Sequence, residues 1–412
     1  MAIADVKSYA HLSSADVVKF GAELDAVRKE IESTLGERDA RYIRRVIALQ
    51  RMCEVAARIA LIVGRNRYTW ALSTGMLAFA KIVENMEIGH NVMHGQWDWM
   101  NDPEIHSSTW EWDHSMPSSQ WKEAHNYRHH VYANVLGMDP DEGYGLLRVA
   151  RDRSWRPYHL GNPVYLVPIS ILYEFGMCIY HLEIGKVLAG KKDRAEFDAK
   201  LAEISRKAGR QAVKDYVIFP ALTGRRWRST LTADLTASVI RNVWEQVVTF
   251  CGHFPDGAEN FTKRDLENET HCEWYLRQFL GSANFDAGPA LAFMAGNLCY
   301  QIEHHLYPDL PSNRLREISH HVRKIARRYD LPYTTGSLPH QYLSVLRVIV
   351  TLALPDNFGG SLAGPDQPRS SVTVRPEGVR TSENTVRSAI GAAAGRVSKM
   401  TSTPVSSSRR SR

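Results

Sequence analysis

The 412-residue sequence is poor in cysteine: it has five, and none of them belongs to a CxxC pair. Their odd number and wide spacing argue against a disulfide scaffold, a zinc ribbon or a thioredoxin-type site, and favour a reducing compartment. The first residues also lack the charged start, apolar core and cleavage site of a secretory signal. We therefore expect a protein that is not exported.

Long uninterrupted hydrophobic runs are also missing. No window of about 18 residues is both apolar and uncharged, the usual mark of a membrane-spanning helix. The polar ends, 1–45 and 356–412, lower the average hydropathy, so local windows are more informative. The 356–412 segment has nine basic and four acidic residues. We interpret it as a disordered basic tail, with attraction to anionic lipid headgroups as the alternative.

Helical periodicity dominates the rest of the chain. Residues 13–33 are predicted to form an amphipathic helix with Ser14 as its N-cap. Four segments that are largely apolar but contain charged residues are interpreted as membrane crossings, at about 48–64, 69–89, 210–224 and 231–252. Because each pair of crossings returns the chain to the same face, the loops 90–209 and 253–355 are expected on one side, the cytoplasmic side.

Charges interrupt the predicted crossings. Arg51, Glu54 and Arg58 form one stripe on the first crossing, and Asp234 and Arg241 interrupt the last. Such groups are costly in lipid, so these helix faces should contact protein or headgroups.

Another apolar segment, 157–173, contains three prolines and has basic clusters on both sides. The positive-inside rule puts both of its flanks on the cytoplasmic side. We therefore expect this segment to lie in the interface or to re-enter, not to cross.

The predicted fold class is an all-α integral membrane protein with about four transmembrane helices and a cytoplasmic helical cap. Three regions are expected: a cytosolic N-terminal helical region (1–45), a membrane domain (46–355) and the tail (356–412).

Histidines carry the chemistry of this sequence, which has 17 of them. The motifs HNVMH and HNYRHH place histidines at i, i+4 on one face of an α-helix, with the last histidine of the second motif turned about 100° away and able to reach a second metal. A third motif, QIEHH, and a histidine after the last crossing complete a set near one predicted membrane face: His90, His94, His125, His129, His130, His253, His304 and His305. Eight imidazoles suffice for two metal ions, and imidazole suits iron, zinc or copper.

These motifs resemble the three histidine boxes of membrane fatty-acid desaturases, HxxxH, HxxxHH and QxxHH, over roughly residues 45–330. The continuation QIEHHLYPDLPSNRL and the segments around ENMEIGHNVMH and QFLGSANF are similar, more narrowly, to mycobacterial acyl-CoA desaturases of the stearoyl-CoA Δ9 type. The resemblance implies a non-haem centre of two iron ions that uses O₂ and two external electrons to insert a cis double bond. It implies that the box histidines and His253 bind the metal, and that no catalytic residue is needed beyond the metal centre.

Other residues are candidates for supporting roles. Carboxylates and an amide near the boxes could accept hydrogen bonds from the imidazole N–H groups: Glu84, Glu87, Asp98, Gln301 and Glu303. Four tryptophans could form either an interfacial belt or the wall of an acyl tunnel, and two arginines could meet the phosphates of CoA: Trp97, Trp99, Trp110, Trp112, Arg128 and Arg148.

The expected partners follow from this interpretation. They are a long-chain acyl substrate, membrane lipid and a separate electron donor such as an NAD(P)H-dependent flavin or iron–sulfur reductase, with no nucleic acid. We expect no fused cytochrome b5, because no HPGG motif is present, and we expect a bacterial cell membrane with the site facing the cytoplasm. A membrane di-iron hydroxylase of alkanes, sterols or carotenoids is the alternative enzyme, and a metal-binding or metal-transport membrane protein is the alternative outside enzymes.

Overall fold

The computed structural model describes residues 8–356, and within them the chain is helical, with two isolated β-bridges and no strand. The predicted tail lies outside the described residues apart from Asp356. The α-helices are α1 Ser14–Ser33, α2 Glu37–Val63, α3 Arg67–Ile82, α4 Asn91–Met93, α5 Ser118–Lys122, α6 His130–Tyr132, α7 Asn162–Ile171, α8 Tyr173–His181, α9 Ile184–Leu188, α10 Arg194–Val213, α11 Phe219–Leu222, α12 Trp227–His253, α13 His271–Leu280, α14 Pro289–Met294, α15 Gln301–Leu306, α16 Leu315–Arg328 and α17 Leu338–Ala353.

Three π-helices join α-helices into longer continuous helices. They are Val83–His90 between α3 and α4, Glu123–His129 between α5 and α6, and Lys214–Ile218 between α10 and α11. A π-helix has i→i+5 hydrogen bonds and is frequent at functional sites. Two of the three contain box histidines.

Seven short 3₁₀ helices connect the larger elements within the described residues: Asp98–Met100, Glu142–Gly145, Pro157–Gly161, Gly224–Arg226, Lys263–Leu266, Leu298–Tyr300 and Ser312–Arg314.

The predicted helix boundaries need two corrections. The N-cap of α1 is Ser13, not Ser14: the Ser13 side chain accepts a hydrogen bond from the Asp16 N–H in a capping box. Helix α2 begins at Glu37, about ten residues before the predicted apolar segment. The predicted boundary between 1–45 and 46–355 therefore falls inside α2.

Helix α1 packs on the region that carries the third histidine box. Its apolar face, with Phe20, Leu24 and Ile31 fully buried, shares one core with α13, α15 and α16. The N-terminal helix is thus part of the same packed body as the candidate site.

Charged side chains lie inside the bundle of α2, α3 and α12. Arg58 of α2 pairs with Asp234 of α12 and, at 3.1 Å, with Asp215, which also accepts a 2.6 Å contact from Lys81 of α3. All four side chains are buried. The expectation that the charges of these helices face protein is confirmed for this set.

The outer faces of the same helices are apolar. Exposed side chains follow helical spacing on α2 (Met52, Val55, Ile59, Ile62) and on α12 (Leu235, Val239, Ile240, Val243). Polar groups inside and apolar groups outside reverse the usual arrangement of a water-soluble bundle.

By length and composition, no single helix in residues 8–356 is long and apolar enough to span a membrane. One bent pair, Pro157–Ile171 with Tyr173–Leu188, passes the same test with a 106° bend.

Replacing Asp215 with alanine should destabilise the protein, because Lys81 would lose its carboxylate partner while buried. Breaking a buried ion pair by removing one partner costs about 3–5 kcal/mol of unfolding free energy. The measurement is thermal unfolding in detergent. Asp256→Ala is the matched control, since Asp256 is exposed; an equal shift for both variants would contradict the importance of the buried network.

Candidate metal centre

The first histidine motif lies where the π-helix Val83–His90 passes into α4. The His94 N–H donates to the His90 carbonyl at 3.1 Å, which keeps the two residues one helical turn apart. Their ring centroids are 4.6 Å apart, with the ring planes inclined at 62°. The shared face predicted from the i, i+4 spacing is confirmed.

The second motif lies in a π-helix, and this changes the predicted directions of its side chains. The His130 N–H donates to the His125 carbonyl, an i→i+5 bond. The wider turn brings His130 back towards His125, with ring centroids 4.8 Å apart, instead of pointing it away. The prediction that His130 reaches a second group is confirmed, because it lies with His129 and His305 rather than with the His90 group.

The third motif contributes to two groups. His304 and His305 are neighbours on α15, and their ring planes are perpendicular. The Nε2 atoms of His304 and His90 are 3.2 Å apart, whereas the His305 ring stacks on that of His130 at 4.3 Å. One short helix thus extends one imidazole into each group.

The eight histidines form two adjacent groups. In the first, one ring nitrogen each of His90, His94, His125 and His304 lies within 4.8 Å of the others, and in the second the same holds for His129, His130 and His305. His253, the last residue of α12, adjoins the second group, with its ring centroid 4.6 Å from that of His129 and 4.8 Å from that of His305. The ring nitrogens of both groups can hold cations.

The hydrogen bonding of the histidine rings also fits metal binding. Several buried ring nitrogens have no hydrogen-bond partner within residues 8–356: Nε2 of His94, His125, His129, His130 and His305, and Nδ1 of His130, His253 and His304. A buried polar atom without a partner costs about 1–3 kcal/mol. A cation in each group would bind one nitrogen of each ring and so satisfy most of these atoms.

Burial also favours the form of imidazole that binds metal. It lowers the pKa of His90, His94, His125, His130, His253, His304 and His305 well below the usual value, and neighbouring histidines lower it further. For His129 burial acts in the same direction, but the carboxylates of Asp139 and Asp141 outweigh it and raise the pKa to about 9. A cation at Nε2 of His129 would compete with that proton.

The groups that orient the histidines are mostly ones that sequence reasoning missed. Both carboxylate oxygens of Asp139 lie 3.0–3.1 Å from Nδ1 of His129. Gln278 lies 2.9 Å from Nδ1 of His305 through its Oε1 and donates to the His130 carbonyl through its Nε2. Trp121 stacks on the His125 ring at 4.5 Å. Asp139 lies in the turn sequence MDPDEG and Gln278 in α13, and neither context marks a partner of histidine.

Of the five predicted supporting residues, Gln301 alone has a hydrogen-bond contact with a box histidine or His253 within the described residues: its Nε2 is 3.0 Å from Nε2 of His253. The carboxylates of the other four bond elsewhere: Glu84 to the Asp113 N–H, Glu87 to Tyr42, Asn297 and Ser312, Asp98 to Ser107, and Glu303 to Asn284 and Tyr333. Proximity along the chain did not predict proximity to the imidazole rings, since side chains of one helix point in different directions.

Of the aromatic and basic candidates, Arg148 alone is contradicted by its surroundings within the described residues. Trp97 and Trp112 are buried core residues, and Trp99 and Trp110 pack partly buried against the same clusters. Arg148 is fully buried and bound to backbone carbonyls and Asp356, so it is not available to a phosphate. Arg128 pairs with Glu183 at 2.9 Å.

Two cavities lie near the bundle. A small one of about 20 Å³ adjoins the first group and is lined by Trp121, His125, Asp141, Met177 and His181 among others. An open apolar groove of about 750 Å³ runs along the outer side of α12, lined by Val239, Val243, Trp244 and Leu291 among others. None of the four predicted tryptophans lines either cavity.

The chain matches known proteins over most of its length. The family model described as fatty acid desaturase matches residues 68–337. The NADPH-dependent stearoyl-CoA 9-desaturase of Mycobacterium tuberculosis is 59% identical over 362 residues, covering 87% of this chain and 85% of that protein. The acyl-lipid (9-3)-desaturase of Borago officinalis is 33% identical over 244 residues, covering 57% of this chain and 52% of that protein.

Replacing Asp139 with asparagine should weaken metal binding, because the neutral amide is a poorer acceptor for the His129 N–H. Loss of such an outer partner typically costs 10–100-fold in metal affinity. The measurement is chelator competition for bound iron or cobalt. Asp98→Asn is the control, since Asp98 bonds to Ser107. Equal affinities for the wild type and Asp139→Asn would contradict the assignment.

Proposed function

The chain belongs to the fatty acid desaturase family and is an enzyme of that class, and on this basis we propose that it inserts a cis double bond into a long-chain acyl-CoA at a pair of iron ions. The observation that carries the proposal is the meeting of all three histidine boxes in two adjacent groups of imidazole nitrogens. A site for a single cation would not need seven ring nitrogens from three separate helical segments in two groups.

One ion would be held by His90, His94, His125 and His304, and the other by His129, His130 and His305 with His253. Gln301 adjoins the second set through His253. Iron fits the reaction because bound iron can activate O₂, whereas zinc is redox-silent.

The reaction removes one hydrogen atom from each of two adjacent methylenes. An acyl –CH₂–CH₂– unit, O₂, two electrons and two protons give –CH=CH– and two water molecules. The methylenes are not acidic, so side chains need not act as acid or base towards them. The role of this chain is to hold the neutral imidazoles in place, which Asp139 and Gln278 do from outside, and to keep the site buried.

The proposed substrate is stearoyl-CoA or a close analogue, with the new bond at position 9. This rests on the printed name of the M. tuberculosis relative and on its 59% identity.

Membrane insertion is proposed for four segments, at about 48–64, 69–89, 210–224 and 231–252, with 1–45 and the histidine groups on the cytoplasmic side. The exposed apolar stripes on α2 and α12, opposite buried charges, support it, because ionisable groups of membrane helices face the bundle interior. The proposal includes a membrane domain over 46–355, a bacterial cell membrane and a basic tail over 356–412.

A separate protein is proposed to supply the electrons. The sequence has no CxxC pair and no HPGG motif, and the relative's name includes NADPH dependence. A flavin or iron–sulfur reductase would provide the two electrons that each double bond consumes.

Expression of the chain with a reductase should yield oleoyl products from stearoyl substrate and about two iron ions per chain. His129→Ala should abolish the product and lower the iron content, because one group loses a ligand. His340→Ala, which changes an exposed histidine, should retain both. A hydroxylated product would favour the hydroxylase alternative, and exchangeable zinc without product would favour metal transport.

Topology can be tested by cysteine labelling in intact cells. Cysteine at Lys191, just after the bent pair, should resist a membrane-impermeant thiol reagent until the cells are permeabilised, since both flanks are basic. Cysteine at Arg65, between the first two proposed crossings, is the control and should react from outside. Reaction of Lys191→Cys in intact cells would make the bent pair a true crossing.

A further inference from the structure

Helix α16 has one apolar and one basic face. Leu315, Ile318, Val322 and Ile325 are buried against α1 and α15. The opposite side presents Arg316, His320, Arg323, Lys324 and Arg327, which at 100° per residue fall within an arc of about 100°. We call these five residues the α16 basic face.

The positive charges of this face are largely unmatched. Two neighbouring arginines already have acidic partners, Arg328 with Glu23 and Arg314 with Glu317. Arg316, Lys324 and Arg327 have no ion pair in residues 8–356 and are exposed. Such a stripe creates a positive potential that attracts an acidic surface.

The face is connected to the third histidine box by short contacts. The Arg323 guanidinium lies over the Tyr333 ring, 4.7 Å from its centroid. The Tyr333 hydroxyl donates to Glu303 at 2.7 Å, and Glu303 immediately precedes His304 of the first group. The α16 basic face is therefore separated from the metal centre by one packed layer.

The surroundings of the face favour a protein in water over a lipid surface. Across residues 295–342, all of them described, no large apolar side chain is exposed, in contrast to α2, α7, α8 and α12. A bilayer contact would combine basic residues with exposed apolar side chains.

We propose that the α16 basic face is the docking surface for an acidic electron-donor protein, which delivers to the metal centre the two electrons required for each double bond. This rests on the proposed function, which needs an external donor. Unpaired charge at the rim of an interface mainly raises the association rate and makes it sensitive to salt.

The test reverses the charge of the three unpaired residues in the full-length protein: Arg316→Glu, Lys324→Glu and Arg327→Glu. The control reverses three exposed basic residues elsewhere, Arg206, Lys263 and Arg264, with the same change in net charge. The donor is a plant-type [2Fe–2S] ferredoxin, an acidic carrier, reduced by NADPH through its flavin reductase. Turnover of stearoyl-CoA is measured against ferredoxin concentration at low and high salt.

We expect the α16 variant to raise the KM for ferredoxin about tenfold or more at low salt, with kcat at saturating ferredoxin retained. The control variant should resemble the wild type, and high salt should remove the difference between them and the α16 variant. An unchanged KM for ferredoxin would overturn the proposal. A rise in the KM for stearoyl-CoA instead would also overturn it, and would indicate that the face binds the phosphates of the substrate.

A second measurement separates this proposal from the proposed function. Each protein is reduced with dithionite and then mixed with O₂ and stearoyl-CoA for a single turnover, which needs no docking. We expect equal product from the wild type and both variants. No product from the wild type would contradict desaturation itself. If the wild type forms product after dithionite reduction but shows no turnover with reduced ferredoxin, docking of an acidic donor is contradicted.

Discussion

The need to satisfy buried imidazole nitrogens is the constraint on which the rest of this structure depends. Eight histidines from distant parts of the sequence lie together, six buried and two partly buried, and many of their ring nitrogens have no partner within the described residues. Burial lowers the pKa of seven of these histidines, which favours the neutral form. Neutral rings packed together in the interior leave some of their nitrogens without water or a protein partner. A cation in each group would bind one nitrogen of each ring. The side chains of Asp139, Gln278 and Gln301 contact His129, His305 and His253 and orient their rings.

The helices that support this site are arranged with their polar groups inside. Arg58, Lys81, Asp215 and Asp234 meet between α2, α3 and α12, while apolar stripes face outwards. These directional, buried contacts hold the three helices together. It also fixes the start of the π-helix Val83–His90, because Lys81 is anchored one residue before α3 ends.

The molecule has surfaces of two kinds. The outer sides of α2 and α12 are apolar, whereas the surface formed by residues 295–342 exposes no large apolar side chain and includes the α16 basic face. The third histidine box lies between these environments, on a short helix that packs against α16. A lipid-soluble chain and a water-soluble electron donor could thus reach one site from different sides.

The sequence by itself determined the helical class, the charged stripes that had to face protein, and the histidine motifs with their chemistry, because periodicity and spacing are local properties. It could not determine that the second motif lies in a π-helix, which brings the His130 ring within 4.8 Å of the His125 ring, since that winding depends on the packing of the whole bundle. It also could not show that Asp139 and Gln278 hold His129 and His305, or that Arg148 and Trp97 are buried. Side chains far apart in sequence, or near but on different faces, meet or separate through tertiary packing, and the direction of each ring follows from the neighbours that packing provides.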